Sequence, residues 1–325
     1  MMSGDDGTPA GLPDEFAFIR RHFRRLASPG ALDLTDDAAV FTPPAGRELV
    51  IAADAMVENV HFLPDDPPET IGRKVLRTNL SDLAAMNATA LAWLLTISIP
   101  KARLHEAWFS AFCDGLEEDQ RLFNLGLLGG DTTSTDGPLT LSVTILGHCA
   151  PGAALRRNGA KPGDGLWVTG TLGDAALGLR ALRGEIQDPT GFLSERYHLP
   201  RPRIGLDLTG IARAGIDVSD GLVQDAGHLA RESRVGLIIY ADHLPLSPAA
   251  RSTGPDALQA ALNGGDDYEL LLAIPPDRED ALKKEAASQG IAVTQIGQFC
   301  IGHDIRVTTR DGKPIALTRH GWSHI

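Results

Sequence analysis

Short apolar runs in this chain repeatedly give way to aspartate and glycine, and that punctuation constrains the fold more than any other feature. Residues 49–53 (Leu-Val-Ile-Ala-Ala) run into Asp54, which reads as the strand's end. Residues 125–128 run into Gly129-Gly130-Asp131, Ile216 runs into Asp217-Val218-Ser219-Asp220-Gly221, and Gly264-Gly265-Asp266-Asp267 precedes Tyr268-Glu269. Runs of this length bounded by Gly and Asp predict buried strands. Further strands are predicted over 94–99, 139–147, 166–170, 235–240 and 268–274. Helical patterns fall between them, over 15–26, 70–91 and 104–123, and from near Asp174 and Asp220. In the third, Leu104, Ala107, Trp108, Ala111 and Phe112 share one face. Strands alternating with helices in both halves imply an α/β or α+β class.

A chain of 325 residues, 43% of them hydrophobic, can build two ordinary domains. The polar, Gly-rich stretch 152–165 marks the division, giving domains at 15–151 and 152–325. Residues 1–14 contain Gly, Asp and Pro without a signal-peptide apolar core, and read as a loose tail on a cytoplasmic protein.

Several function classes are disfavoured. A net charge of −12 without a basic stripe opposes nucleic acid and anionic membranes as partners. No apolar run reaches the ~18 residues of a membrane span. Cys113, Cys149 and Cys300 have no CxxC spacing, so neither zinc nor a disulfide framework is indicated, and Cys113 reads as a core residue. GxxxxGK[ST] is absent, which argues against a P-loop.

Singly, each aspartate could cap a helix or start a turn. Together they deliver oxygen ligands where α/β folds place their sites. Aspartates without His or Cys clusters suit magnesium, which is held by one or two carboxylates plus phosphates and water. The glycine-rich segments 129–133, 170–174 and 264–267 could offer backbone N–H groups to phosphate, or serve as ordinary turns. Arg156-Arg157 could meet phosphate through a planar fork, or be an exposed charged turn. His61, taken alone, reads as a packed or surface histidine.

Seven segments in this order resemble thiamine-monophosphate kinases. They are Asp36-Asp37-Ala38-Ala39-Val40, Ala53-Asp54-Ala55-Met56-Val57-Glu58-Asn59-Val60-His61-Phe62, and Arg77-Thr78-Asn79-Leu80-Ser81-Asp82-Leu83-Ala84-Ala85-Met86. Gly129-Gly130-Asp131-Thr132, Arg157-Asn158-Gly159-Ala160-Lys161-Pro162-Gly163-Asp164, Asp217-Val218-Ser219-Asp220-Gly221-Leu222 and Gly265-Asp266-Asp267-Tyr268-Glu269-Leu270 follow. The superfamily also holds aminoimidazole ribonucleotide synthetase and selenophosphate synthetase. The N-terminal segment carries no reactive Cys of the selenophosphate synthetase kind, and the C-terminus lacks the Cys of the hydrogenase-maturation relatives.

The resemblance implies a two-domain fold like that of aminoimidazole ribonucleotide synthetase, with an N-terminal mixed sheet that pairs across a homodimer. It implies ATP-dependent phosphorylation of thiamine monophosphate, with several Mg2+ ions. Asp37, Asp54, Asp82, Asp131, Asp217 and Asp220 would be metal ligands. Gly130, Asp131, Arg157 and Ser219 would contact ATP, and His61, Glu269 and Trp322 would meet the acceptor. Transfer would be driven by metal and position, with no dedicated catalytic side chain. Ala52-Ala53 stand where Ser-Thr is common, and Asn87 where Gly is common. The alternatives are a related ATP-dependent synthetase and a non-catalytic nucleotide- or metal-binding regulator.

Overall fold

The structure, a computed structural model, describes residues 15–103, 105–309 and 311–315. Its first half contains α1 (Glu15–His22), β1 (Glu48–Val57), α2 (Pro68–Ala85), β2 (Thr89–Pro100), α3 (Glu106–Leu122), β3 (Gly126–Thr135) and β4 (Thr140–Cys149). The second contains β5 (Gly165–Thr169), α4 (Asp174–Leu182), α5 (Phe192–His198), β6 (Ala214–Asp217), α6 (Leu222–Ser233) and β7 (Gly236–Tyr240). It continues with α7 (Pro248–Ser252), α8 (Pro255–Asn263), β8 (Leu270–Ile274), α9 (Glu279–Ser288), β9 (Val293–Cys300) and β10 (Ile305–Thr308).

The first sheet has strand order β1-β4-β2-β3, antiparallel except for the parallel β2–β3 pair. β4 shows how its sequence is read by the fold: Leu141, Val143 and Ile145 are fully buried, while Ser142 and Thr144 between them turn to the other face. The buried face packs with Leu76, Leu80 and Leu83 of α2 and Phe109, Phe112 and Cys113 of α3. The second sheet, β10-β7-β9-β5-β8-β6, is also mixed, with β7 and β10 parallel. Each sheet has its own apolar core. A third cluster joins Ala84 and Ala85 of α2 to Leu155, Leu206, Leu270 and Leu272.

α2 is the element that positions the site. It is buried almost all round, and several of its buried side chains are polar: Lys74, Arg77, Thr78, Asn79 and Ser81. Burial of such groups is tolerable only with partners. Arg77 pairs with buried Asp119 of α3 and donates to the Pro200 carbonyl at 3.0 Å. Asn79 accepts the Asp54 N–H of β1, and Ser81 donates to Asp217 of β6.

Four expectations change here. The helix predicted to residue 91 ends at Ala85, because Asn87 takes a left-handed φ of 56° that stops a helix. A left-handed φ suits Gly, the residue that the resemblance leads one to expect there. β1 continues through Asp54 to Val57, so Asp54 sits inside a strand rather than at its end. Gly129–Thr133 lies within β3, paired to β2, and forms no turn. A β-carbon on Gly130 would stand 1.8 Å from the Leu95 carbonyl oxygen, so close pairing with β2 accounts for that glycine. β8 begins at Leu270, after Tyr268 has turned through a left-handed φ of 51°.

Candidate active site

Asp54, Asp82 and Asp217 come from β1, α2 and the end of β6, and their charges act on one another where α2 crosses between the sheets. Burial, then the charges of Asp217 and Asp54, push the Asp82 carboxyl up to about 8, with Arg157 opposing them. Asp217 is 5% exposed, and burial raises its pKa against a 2.6 Å hydrogen bond from the Ser81 hydroxyl. Arg157, in the exposed segment between the domains, is the cation that both carboxylates feel.

The Ser219–Gly221 loop is built by a residue that sequence reasoning missed. Buried Asp225, in the first turn of α6, accepts the N–H groups of Ser219, Asp220 and Gly221 at 3.0–3.1 Å. These amides face inward, and neither Ser219 nor Asp220 caps the helix; Gly221 occupies that position with φ 124°. Asp220 instead accepts from the Gln224 amide. An acid four residues after Gly221, in the first turn of the predicted helix, was the available signal.

A similar substitution occurs at 170–174. The N–H groups of Gly173 and Ala175, at the start of α4, donate to the fully buried Asp267 carboxylate. The carboxyl group at this helix N-terminus therefore belongs to the chain itself, and those amides are not free for phosphate.

The expected acceptor residues divide. The His61 Nδ1 accepts the Val57 N–H at 3.0 Å, which leaves the proton of a neutral ring on Nε2. Its carbonyl accepts from Lys74. Glu269, expected at the acceptor, is fully buried. Its oxygens take Arg203 twice at 2.5 Å, Arg196 at 3.1 Å and Thr169 at 2.6 Å. This geometry offers a ligand the part-exposed Arg203 rather than the carboxylate itself. Trp322 lies outside the described residues.

Asp37 is exposed in the segment before β1. Asp131 is exposed on β3 and paired with Thr96, on the sheet face opposite to Leu95 and Val143. Asp54 pairs with Val143 and so points to the helix-covered face. Two intervening strands put Asp54 and Asp131 roughly 14 Å apart across the sheet. One chain thus sets Asp54, Asp82 and Asp217 within reach of one another's charges and turns Asp131 away. A separate cavity of about 260 Å³, lined by Arg156, Asn158, Thr209 and Arg213, includes none of these aspartates.

Comparison with known proteins adds to this geometry. Residues 35–149 match the AIR synthase related protein N-terminal domain family, and residues 161–310 match the corresponding C-terminal domain family. A thiamine-monophosphate kinase from Caulobacter vibrioides is 42% identical over 98% of this chain and 94% of its own length. The chain belongs to the thiamine-monophosphate kinase family. A crystal structure of the Stenotrophomonas maltophilia enzyme superposes with a TM-score of 0.82 at 41% identity, covering 93% of this chain and 98% of that one. AaThiL complexed with AMPPCP and TMP gives a TM-score of 0.77 at 30% identity, over 96% of this chain and 97% of that one. Two mixed sheets, each with its helices, are the fold this family shares.

Proposed function

We infer that this chain transfers the γ-phosphoryl group of ATP to thiamine monophosphate, giving ADP and thiamine diphosphate. The 42% identity to a thiamine-monophosphate kinase along nearly the whole chain carries this reading. AaThiL, at 30% identity, holds an ATP analogue and TMP together. The acceptor oxygen is already largely ionised near neutral pH, with a second phosphate pKa of ~6, so no strong general base is required. The obstacle is the approach of two polyanions to a carboxylate-rich site.

The crowding of Asp54, Asp82 and Asp217, opposed mainly by Arg157, is the feature that fits magnesium. Among the described residues no three His, Cys, Asp or Glu are grouped closely enough to hold a metal ion by themselves, so phosphate oxygens and water would have to complete the coordination. Bound there, Mg2+ would neutralise charge and align the in-line transfer. Asp54, Asp82, Asp217 and Asp220 would hold it, with Asp37 drawn from the exposed segment. Arg157 would face the nucleotide phosphates, beside Ser219. His61 would present its Nε2–H to the acceptor.

We also propose that the division between domains falls at 151/152. The interval between the two family matches, 150–160, supports it. The outer face of the first sheet exposes Leu49 (42%) and Ile51 (62%), and supports a homodimer built through this sheet. Asp131 stands on the same face, where a partner subunit could use it. No helix among the described residues is long and apolar enough to cross a membrane. Three free cysteines and the use of ATP suit a cytoplasmic location.

A coupled ADP-release assay with thiamine monophosphate, thiamine and formylglycinamidine ribonucleotide as alternative acceptors tests the function. Magnesium-dependent turnover with thiamine monophosphate alone is expected. Turnover with the purine precursor, or tight ATP binding without turnover on any acceptor, would overturn the reading.

A further inference from the structure

The segment Gly264–Tyr268 is held in a conformation that its side chains disfavour. Asp266 (φ 68°) and Tyr268 (φ 51°) both lie in the left-handed region, which is rare for an aromatic residue. Such strain persists only where the surroundings over-determine it, and it collects at functional sites. The Asp266 and Tyr268 N–H groups donate to the Ser219 and Val218 carbonyls at 2.9 Å, which ties the segment to the Asp217–Asp220 loop. Arg196 holds the Asp267 carbonyl at 3.2 Å. Asp266 is gripped from the other domain, by Lys74 of α2.

Lys74 is 2% exposed. Its ammonium donates to Asp266 Oδ2 at 2.9 Å and to the His61 carbonyl at 3.0 Å, and lies 3.8 Å from the centroid of the Tyr197 ring. These partners come from three segments remote in sequence. A buried ammonium is tolerable only when it is paired in this way. Lys74 is therefore the point at which the His61 turn and the strained 264–268 segment are fixed relative to each other. Within its own turn His61 is held by its N–H on the Val57 carbonyl at 2.9 Å and by the Val57 N–H on Nδ1 at 3.0 Å, while Lys74 links that turn to the 264–268 segment.

We propose that Lys74 is a positioning residue for the acceptor side of the site. It sets His61 and Asp266 at their mutual spacing without itself touching substrate. The proposal rests on the reading of His61 as an acceptor contact. Groups that orient a substrate act best when their spacing is fixed in advance. The Lys74 ammonium ties the two segments together there.

The test compares Lys74→Met, which keeps the length of the stem over Tyr197, with Asp266→Asn and His61→Ala. KM for thiamine monophosphate and for ATP are measured for each. Amide hydrogen exchange over 264–268 is measured in the substrate-free protein. Lys74→Met is expected to raise KM for thiamine monophosphate at least tenfold, with KM for ATP within twofold of wild type. Exchange at Asp266 and Tyr268 is expected to quicken at least tenfold. Asp266→Asn breaks the same pair from its part-exposed end, so it serves should Lys74→Met fail to fold. The same split is expected there, and the double variant should equal the larger single effect. Unchanged exchange protection in folded Lys74→Met, or equal rises in both KM values, overturns the positioning role. His61→Ala reads the underlying assignment separately: no change in KM for thiamine monophosphate removes His61 from the acceptor site, whereas a rise there with none in Lys74→Met sinks only the proposal.

Discussion

Buried carboxylates set the chemistry of this molecule residue by residue, and they do not all serve ligands. Asp225 and Asp267 hold backbone N–H groups that organise the loops on which ligand-facing residues ride. For Asp267, burial pushes the pKa up to about 8, while hydrogen bonds from Gly173 and Ala175 and the charge of Arg196 pull it down. An acid raised in the folded state contributes its full stability below its unfolded pKa of 3.8 and loses it as pH rises to about 8. The metal-free protein should therefore become less stable across this window. Asp267→Asn, which cannot ionise, should show a flatter profile, by up to about 1.4 kcal/mol per pH unit. Urea unfolding at several pH values between 4 and 8 measures it, and identical slopes would mean that Asp267 is ionised throughout.

Among the elements, β3 carries two glycines that look alike in sequence and differ in their surroundings. Gly130 packs against the β2 backbone, where an added β-carbon meets the Leu95 oxygen at 1.8 Å, whereas one on Gly129 meets nothing within 4 Å. Gly130→Ala should force β2 and β3 apart and lower stability by about 2 kcal/mol or more, in the range of overpacked cores. Gly129→Ala should lose less, of the order of the backbone preference alone, about 1 kcal/mol. Thermal or urea melts of both variants decide. If Gly130→Ala melts like wild type and loses only nucleotide affinity, ligand approach rather than strand pairing explains that glycine.

For the whole molecule, the placement of Asp131 sets the question. It faces away from Asp54, and the strand order puts β1 and β3 at opposite edges of the sheet. If the site uses Asp131 of the partner subunit, two inactive variants should complement each other. In a hybrid of Asp82→Asn and Asp131→Asn subunits, one site receives both substitutions and the other neither. Co-expressed, differently tagged chains, purified as hybrids, should regain about half of wild-type kcat per dimer. With all ligands drawn from one chain, both sites carry a substitution and the hybrid stays inactive.

Local chemistry made much of this protein legible in its sequence. Alternating apolar runs placed β4, β5 and β7 within a few residues, because a half-buried or buried strand must carry that pattern. The motif segments pointed to the family, to ATP and to a phosphorylated acceptor. The sequence also named Asp54, Asp82 and Asp217, whose charges act on one another in the fold. It did not show that Lys74 would be buried between domains, or that Asp225 and Asp267 would take amides read as phosphate donors. Nor did it show that Glu269 would vanish beneath two arginines. Asp225 meets amides four to six residues before it, but the other outcomes depend on contacts between residues 66–192 positions apart, such as Arg203 with Glu269 and Lys74 with Asp266. Periodicity and spacing report which face of an element is buried. Which charged group meets a buried amide or ammonium is decided only when the elements pack, because an unpaired polar group inside is too costly to keep.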